Sequence, residues 1–378
     1  MLIEYLYQQT GTYLFYSRLF STSVATVFSF LMAMICFQPY INALQRFHFS
    51  SELEANNHFR QPVMPAGILF LFIIVFSCLL TARFNSYVIS ALIIYVFFSF
   101  IGAIDDIAKV VNKRRLAKGI ISKEDYQYKA DGISASLRLT LYLIISLAVA
   151  ITAYKFIPNI SGHIVVPFLS ITRNFPYMPA LLFIPFMTLA IAVMANGVNF
   201  TDGFDTLATV PLITCCIFVG VISYISSNSV WSKYLLIPFI PGVEEILPLI
   251  GAVVGTLLAF LWFNSPPSSI IMGDSGSIGL GGLIGIMFIF IKAGFYLPVL
   301  GFIFVLEFVS SVIQIGYYKL TGKRIFLCAP IHHHFQFKMR ENGFYGSEID
   351  IKSKIAWRFH IISVVLLIVG TILFLKVR

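Results

Sequence analysis

The chain has 378 residues, of which 58% are hydrophobic and only 11% are charged, and its mean hydropathy is +0.88. Soluble domains carry about 25% charged residues, so this composition excludes a soluble globular protein, a disordered chain and a collagen-like fibre. The formal net charge is +9, and the placement of the basic residues along the chain explains it without any nucleic acid partner. The five cysteines form no C-x-x-C pair, which argues against a redox centre or a zinc site.

Ten apolar segments follow one another along the chain, and no removable signal peptide is expected before them. A helix needs about 20 mainly apolar residues to cross a bilayer. The ten segments are 19–45, 61–82, 84–104, 139–154, 174–201, 206–232, 246–273, 275–291, 293–318 and 359–375. They show no polar–apolar alternation with a period of two, which argues against a β-barrel. We therefore predict an all-α integral membrane protein with ten transmembrane helices in one polytopic domain, residues 1–378.

The basic residues are unevenly divided between the connections that join these segments. Eighteen of the 26 lysines and arginines follow odd-numbered segments. Because lysine and arginine concentrate in cytoplasmic loops, the pattern predicts that both termini are extracytoplasmic. The external residues 226–246 are expected to form a structural hairpin at the membrane interface. The predicted cytoplasmic loops, about 46–60, 105–138, 199–205, 264–277 and 319–357, would then carry the active site.

Five of the 17 acidic residues lie at the predicted cytoplasmic ends of helices, namely Asp105, Asp106, Asp202, Asp205 and Asp274. A carboxylate at the edge of a span is costly unless it faces a cavity, an ion or a partner. One such aspartate would more often be a helix cap, but five in three connections favour a shared site. Adjacent carboxylates repel each other, so the pair at 105–106 is suited to proton transfer or to holding a cation, and Lys109 follows one turn later.

The other two acidic motifs have features of a nucleotide or phosphate site. Asp202 and Asp205 flank Gly203 and Phe204, where a glycine lets a ligand approach the backbone and an aromatic ring can cover a base. Asp274 stands among small residues just before a predicted helix. Free amides at that helix start would favour phosphate, and the carboxylate could hold the Mg²⁺ of the phosphate.

Three consecutive histidines, His332, His333 and His334, stand in the last cytoplasmic connection. Adjacent side chains do not all face one way, so a single zinc site made from them alone has poor geometry, and the H-E-x-x-H signature is absent. We interpret them as contacts to phosphate or as links between loop segments; a cluster at the lipid headgroups is the alternative. Carboxylates, lysine, histidines and glycine turns at one membrane boundary are together typical of phosphoryl transfer.

Four stretches, in this order, resemble motifs of the polyprenyl-phosphate N-acetylhexosamine-1-phosphate transferase superfamily. Residues 105–111 resemble D-D-x-x-K-V-V, and residues 199–208 resemble N-x-T-D-G-L-D-G-L-A. Residues 264–277 resemble the N…P…M-G-D-x-G-S stretch, and residues 329–335 resemble A-P-I-H-H-H-F-E, the most discriminating of the four. The resemblance runs from about residue 60 to the C-terminus. Within the superfamily it is strongest to the bacterial phospho-N-acetylmuramoyl-pentapeptide transferases.

This resemblance implies a reaction in which UDP-N-acetylmuramoyl-pentapeptide and undecaprenyl phosphate give lipid I and UMP. It also implies Mg²⁺, a homodimer and the bacterial cytoplasmic membrane. By matched position, Asp274 would be the metal ligand, Asp105 or Asp106 the base or acceptor-orienting group, and His332 a catalytic residue. The implied substrate contacts are Lys109, then Asn199, Asp202, Gly203, Phe204 and Asp205 at the uridine, Asn264 near the diphosphate, and His333 and His334 over the donor.

The chain departs from the family's motifs in three places. The early T-P-T-M-G-G appears as residues 61–67, without the threonines and with an added proline, so its polar contacts cannot be carried over. The loop motif S-K-G-L-S-A-R-x-K reappears at residues 132–138, which makes the residues before it an insertion and places Asp131 at the family's lysine. The aromatic residue three before the metal aspartate is Ile271 here. The candidates for an equivalent lysine are Lys113 and Lys118.

Two other functions stay open at this point. A sister enzyme of the superfamily would use UDP-N-acetylglucosamine, although the histidine run favours the muramoyl donor. An ion-coupled transporter would place its carboxylates near the midplane, whereas here Glu307 alone is in mid-span, where we expect it to hydrogen-bond within the bundle. For the transferase we favour direct attack by the acceptor phosphate over a phospho-enzyme route, because the acceptor is already a phosphate and bringing it beside the donor gives the gain of proximity without a covalent step.

Overall fold

The computed structural model describes residues 2–47, 49, 62–117, 119–120, 135–157, 160, 162–167, 176–344 and 346–375. These ranges contain helices and two isolated β-bridges but no β-strand, so the predicted all-α class is confirmed for them. The helices are α1 Leu2–Thr10, α2 Tyr13–Tyr16, α3 Arg18–Arg46, α4 Gly67–Thr81, α5 Ser86–Ala117, α6 Ala135–Phe156, α7 Ala180–Thr201, α8 Thr209–Ser226, α9 Ser229–Leu235, α10 Leu247–Asn264, α11 Gly273–Phe290, α12 Leu297–Leu300, α13 Phe302–Thr321, α14 Ile331–Glu341 and α15 Glu348–Phe374.

Nine helices in the described ranges are long and apolar enough to cross a membrane: α3, α5, α6, α7, α8, α10 together with the 3-10 turn before it, α11, α13 and α15. The predicted segment 61–82 corresponds to α4, which has only 15 residues. Pro65 stands just before α4, and a proline inside a helix removes a hydrogen bond and clashes with the preceding turn. This helix is therefore shorter than the run of apolar residues that predicted it.

Two helices continue well beyond the apolar segments. Helix α5 runs past residue 104 to Ala117, so Asp105, Asp106 and Lys109 lie within a helix and not in the predicted loop 105–138. Helix α15 begins at Glu348, where Ser347 and Asp350 form a capping box. Lysine, arginine and glutamate are good helix formers, so the end of an apolar run limits the span without ending the helix.

Helix α11 forms the centre of the bundle, and all of its residues are buried. It packs chiefly against α5 and α7. Its many small residues allow this close approach. Asp274 is the second residue of α11, so it enters the packed interior at one end, next to the parts of α5 and α7 that carry Asp105 and Asn199.

The predicted external hairpin at 226–246 contains α9 and a 3-10 helix, Val243–Ile246. Asn228 caps α9 by accepting hydrogen bonds from two backbone N–H groups of its first turn. Arg18, the first residue of α3, forms an ion pair of 2.5 Å with Glu245. These contacts are caps and packing, in keeping with the structural role expected for the segment.

Candidate active site

Two acidic and two basic side chains meet where α5, α6 and α11 converge. Lys109 Nζ lies 2.8 Å from Asp105 Oδ2 and 2.9 Å from Asp274 Oδ2. Arg138 Nη1 lies 3.1 Å and 2.9 Å from the same two oxygens. We call these four residues the charge cluster. Its formal charges cancel, which is the condition under which charged groups are tolerated in a buried place.

Asn199 joins the charge cluster from the last turns of α7. Its Nδ2 donates a hydrogen bond of 2.9 Å to Asp274 Oδ1 and lies 3.1 Å from Ser277 Oγ. Both oxygens of Asp274 are therefore held by nitrogen donors, one by Asn199 and the other by the two cations. Asp274 is thus fixed in orientation from three different helices.

Asp106 faces away from these cations and binds the start of α11. Its Oδ1 and Oδ2 accept hydrogen bonds of 2.9 Å each from the backbone N–H groups of Asp274 and Ser275. Gly273 has φ +75°, and a Cβ there would lie only 3.0 Å from an oxygen of Asp106, so a glycine is required. The prediction that free amides at this helix start bind phosphate is wrong for these two amides, because Asp106 already occupies them.

The residues after α7 form a tight turn, which we call the 202–206 turn. Burial raises the pKa of Asp202 well above its ordinary value, and the carboxylate of Asp274 adds to the effect. Burial also raises the pKa of Asp205, and hydrogen bonds from Ser268 lower it in part. Phe204 is only 5% exposed, and Lys352 Nζ lies 5.5 Å from the centre of its ring. Phe204 is therefore packed inside the protein and does not present an open face for a base.

Asn264 supports the 202–206 turn from the end of α10. Its Oδ1 accepts a hydrogen bond of 2.7 Å from the backbone N–H of Thr206, and its Nδ2 donates one of 2.9 Å to the carbonyl of Ile270. His360 Nε2 lies 2.9 Å from the carbonyl of Thr206. Thr206 has φ +64°, a conformation that a β-branched residue rarely adopts, so these contacts hold a strained residue in place.

The histidine run begins helix α14, and its three rings have three different partners. His332 Nδ1 lies 3.0 Å from Glu307 Oε2, and His333 Nδ1 lies 2.8 Å from Gln336 Oε1. His334 Nδ1 accepts a hydrogen bond of 3.2 Å from a backbone N–H in the preceding loop. Burial lowers the pKa of His333. Within the described residues no three His, Cys, Asp or Glu side chains are grouped to hold a metal ion.

The segment with the altered early motif forms backbone hydrogen bonds with the residues that precede α11. Val63 donates a hydrogen bond to the carbonyl of Ser269 and accepts one from Ile271, at 3.1 Å and 2.9 Å. Ala66 donates to the carbonyl of Ile271 at 2.9 Å. Backbone groups need no particular side chain, so these hydrogen bonds do not depend on the threonines that the motif lacks here.

Sequence reasoning missed two members of this site, Arg138 and Glu307. Arg138 stands at the last basic position of the loop motif at 132–138, so that position was the signal that could have identified it. Glu307 was expected to bond within the bundle, but its partner could not be named. Of the two lysines considered for the loop motif, Lys113 lies one turn beyond Lys109 in α5, and Lys118 is outside the described residues.

The similarity of this chain to known proteins extends over the residues of this site. A family model described as "Glycosyl transferase family 4" matches residues 88–292, which include α11 and most of α5. The chain is 34% identical over 362 residues to the phospho-N-acetylmuramoyl-pentapeptide-transferase of a Nitratiruptor species. That similarity covers 94% of this chain and 94% of the relative, whereas the family model ends before the histidine run.

Proposed function

The chain belongs to glycosyl transferase family 4, and we propose that it transfers phospho-N-acetylmuramoyl-pentapeptide from its UDP donor to undecaprenyl phosphate. The products are lipid I and UMP, in the first membrane step of peptidoglycan synthesis. The observation that carries this proposal is the similarity, over 94% of both chains, to a relative named for this transferase. The protein is accordingly a multi-pass protein of the bacterial cytoplasmic membrane.

In the membrane we propose ten spans, with α4 as the tenth, and both termini outside the cytoplasm. The excess of basic residues after odd-numbered segments supports this orientation, and it puts the charge cluster at the cytoplasmic boundary, where a nucleotide donor arrives. A cysteine introduced at Asn342 should react with an impermeant thiol reagent only from the cytoplasmic side. We also propose a homodimer, which cross-linking in native membranes would test.

The charge cluster can exchange its internal ion pairs for bonds to substrate. Lys109 and Arg138 each bridge the carboxylates of Asp105 and Asp274. The diphosphate of the donor is a stronger anionic partner than a carboxylate, so it can draw both cations toward itself. Each carboxylate then has an oxygen released from its cations.

Mg²⁺ fits the carboxylate oxygens released in this way. It is commonly bound by one or two carboxylates together with substrate phosphates and water, so a cage of three protein ligands is not required. We propose that Asp274 would hold it, with Asp105 beside it. When bound, Mg²⁺ supplies neutralisation of the charge that develops on the transferring phosphate.

We propose direct attack by the acceptor, with Asp105 as the residue that takes its proton or orients it. An acceptor phosphate oxygen forms a bond to the β-phosphorus of the donor, the bond from that phosphorus to the bridging oxygen breaks, and UMP leaves with the bridging oxygen. Asp105 suits this role better than Asp106, since both oxygens of Asp106 are engaged by backbone N–H groups. Lys109 and Arg138 hold the phosphates against their mutual repulsion.

A groove of about 600 Å³ lies between α7, α13 and the segment before α14. Its lining is consistent with a lipid acceptor. Phe200, Ile315 and Leu327 give it apolar walls, and Lys319 and Arg324 supply positive charge. Phe200 is the neighbour of Asn199, which binds Asp274. A prenyl chain with a phosphate head matches both the walls and the charge of this groove.

The test is UMP release by the purified protein in detergent. With UDP-N-acetylmuramoyl-pentapeptide, undecaprenyl phosphate and Mg²⁺ we expect turnover, and with UDP-N-acetylglucosamine as donor we expect none. Asp274→Asn should abolish turnover, while Glu341→Gln, an exposed carboxylate outside the site, should retain it. Turnover that is equal with both donors, or that persists in EDTA, would contradict the proposal. A stoichiometric burst of UMP without acceptor would favour the phospho-enzyme route.

A further inference from the structure

Glu307 is a fully buried carboxylate in the first half of α13. Its Oε2 lies 3.0 Å from Nδ1 and 3.5 Å from the backbone nitrogen of His332. The hydroxyls of Ser310 and Ser311 donate to the backbone carbonyl of Glu307 and not to its carboxylate. A carboxylate in an apolar span is costly unless it is hydrogen-bonded. His332 bonds Oε2, whereas Oε1 has no hydrogen-bond partner among the described residues.

The contact with Glu307 sets the orientation of the His332 ring. The contact places Nδ1 of His332 at Glu307 Oε2, so Nε2 is directed to the opposite side of the ring. His332 is 1% exposed, and its Nε2 has no hydrogen-bond partner among the described residues. The ring therefore has one bonded edge at Glu307 and one edge free of hydrogen bonds.

The edge that carries Nε2 lies directly against the 202–206 turn. A Cβ added to Gly203 would be only 2.4 Å from His332 Nε2. The ring of Phe204 stands nearly perpendicular to the His332 ring, with centroids 4.6 Å apart. His332 thus supports the first half of the turn, whereas Asn264 and His360 hold the second half at Thr206.

We propose that Glu307 is a positioning residue for donor binding. It fixes the ring of His332, and the fixed ring keeps Gly203 and Phe204 in the shape that presents Asp202 and Asp205 to the nucleotide donor. Glu307 itself touches no substrate, and it acts from within a membrane span. This inference rests on the proposed function, in which the 202–206 turn contacts the donor.

A double-mutant cycle in donor binding tests the coupling between Glu307 and Gly203. In the wild-type protein a methyl group at residue 203 meets a pinned ring, but in Glu307→Ala the ring is free to swing away. We expect Glu307→Ala and Gly203→Ala each to weaken equilibrium binding of UDP-N-acetylmuramoyl-pentapeptide about tenfold or more. The double variant should bind about as well as the weaker single variant, because the two changes disrupt the same contact. Additive losses would overturn the proposal.

Matched variants separate positioning from general damage. Glu307→Gln keeps a side chain that can hydrogen-bond Nδ1 of His332 and should hold donor binding within about threefold of the wild type. Ser310→Ala removes a buried hydroxyl of the same helix that bonds the backbone carbonyl of Glu307 and not its carboxylate, so it should leave donor binding and the KM for undecaprenyl phosphate unchanged. If Glu307→Ala does not fold, Glu307→Leu is used in its place, because leucine fills the space that the glutamate side chain occupied.

Two results would contradict the proposals in different ways. If Glu307→Ala lowers the melting temperature but leaves donor binding unchanged, the pair is only structural and the positioning role is refuted. If the wild-type protein does not bind the donor at all, the proposed function fails, and the inference that rests on it fails as well.

Discussion

Asp106 binds the backbone of Asp274, the proposed metal ligand, and not its side chain. The N–H of Asp274 donates to Asp106 Oδ1 at 2.9 Å, and the N–H of Ser275 donates to Oδ2 at the same distance. The neighbouring Asp105 is directed instead to Lys109 and Arg138. Two adjacent carboxylates in one helix therefore have separate tasks, one in the charge cluster and one in fixing the start of α11.

Asp106→Asn is expected to lower both stability and turnover. An asparagine can accept one of the two backbone hydrogen bonds, but its NH₂ group would face the other N–H, which costs about 1–3 kcal/mol when it is buried. The carboxylate of Asp274 would then be less well fixed. Thermal unfolding and UMP release of the purified variant measure the two effects.

The exposed substitution Glu341→Gln serves as the control for Asp106→Asn. If the melting temperature of Asp106→Asn equals that of the wild type, the two backbone hydrogen bonds do not anchor α11. A variant that melts lower but turns over normally would show that the anchoring is not needed for the reaction.

Arg138 is expected to be required for turnover. Its Nη1 bridges Asp105 and Asp274, so Arg138→Ala leaves two carboxylates with only Lys109 between them. We expect a loss of about a hundredfold or more in kcat/KM, since hydrogen bonds to charged groups contribute about 1.5–3 kcal/mol each. Because a single nitrogen makes both contacts, Arg138→Lys should recover part of the activity. Arg358→Ala, an exposed arginine of α15, is the control. Equal activity of Arg138→Ala and the wild type would remove Arg138 from the site.

The all-α class and the clustering of acidic side chains could be predicted because both follow from local features. A run of apolar residues is a direct consequence of the bilayer, and an aspartate at the edge of such a run needs a partner. Asp105 and Asp274 were predicted in this way, and the structure brings them together through Lys109.

The pairings inside the site could not be predicted, because they depend on how helices pack. Asp105 and Asp106 are equivalent in the sequence, and only the rotation of α5 against α11 decides which of them meets the cations. Glu307 and His332 are separated by the whole second half of α13 and the loop after it, so no spacing rule connects them. Phe204 is likewise buried by residues of α14 and α15, which come much later in the chain.

Asn264 is expected to control the shape of the 202–206 turn. Asn264→Ala leaves the N–H of Thr206 and the carbonyl of Ile270 without their partners, which costs about 1–3 kcal/mol for each buried group. We expect a lower melting temperature and weaker donor binding.

Thr206→Gly provides the matched comparison, because a glycine adopts the φ of +64° without strain and keeps its N–H bonded to Asn264. It should melt at the wild-type temperature or above. If Thr206→Gly melts lower than the wild type, the strain attributed to this residue is not real. If Asn264→Ala binds the donor normally, Asn264 does not shape the donor site.

Asp202 makes stability depend on pH, and the sign follows from its raised pKa. Burial is the main cause, and the carboxylate of Asp274 adds to it. An acid whose pKa is higher in the folded protein than in the unfolded chain holds its proton more tightly when folded. The stability that Asp202 contributes is therefore fully present below its ordinary pKa of about 4, and is lost as the pH rises toward the folded value.

Asp202→Asn should therefore stabilise the protein at neutral pH while it impairs donor binding. An asparagine is neutral at every pH, so the variant avoids a penalty that grows by up to about 1.4 kcal/mol per pH unit above the ordinary pKa. We expect the variant to melt higher than the wild type at pH 7.5, with the difference shrinking to nothing near pH 4, in thermal unfolding curves recorded across that range. Glu341→Gln, an exposed carboxylate, should follow the wild-type curve. Parallel curves for Asp202→Asn and the wild type would mean that Asp202 ionises in the folded protein as it does in the unfolded chain.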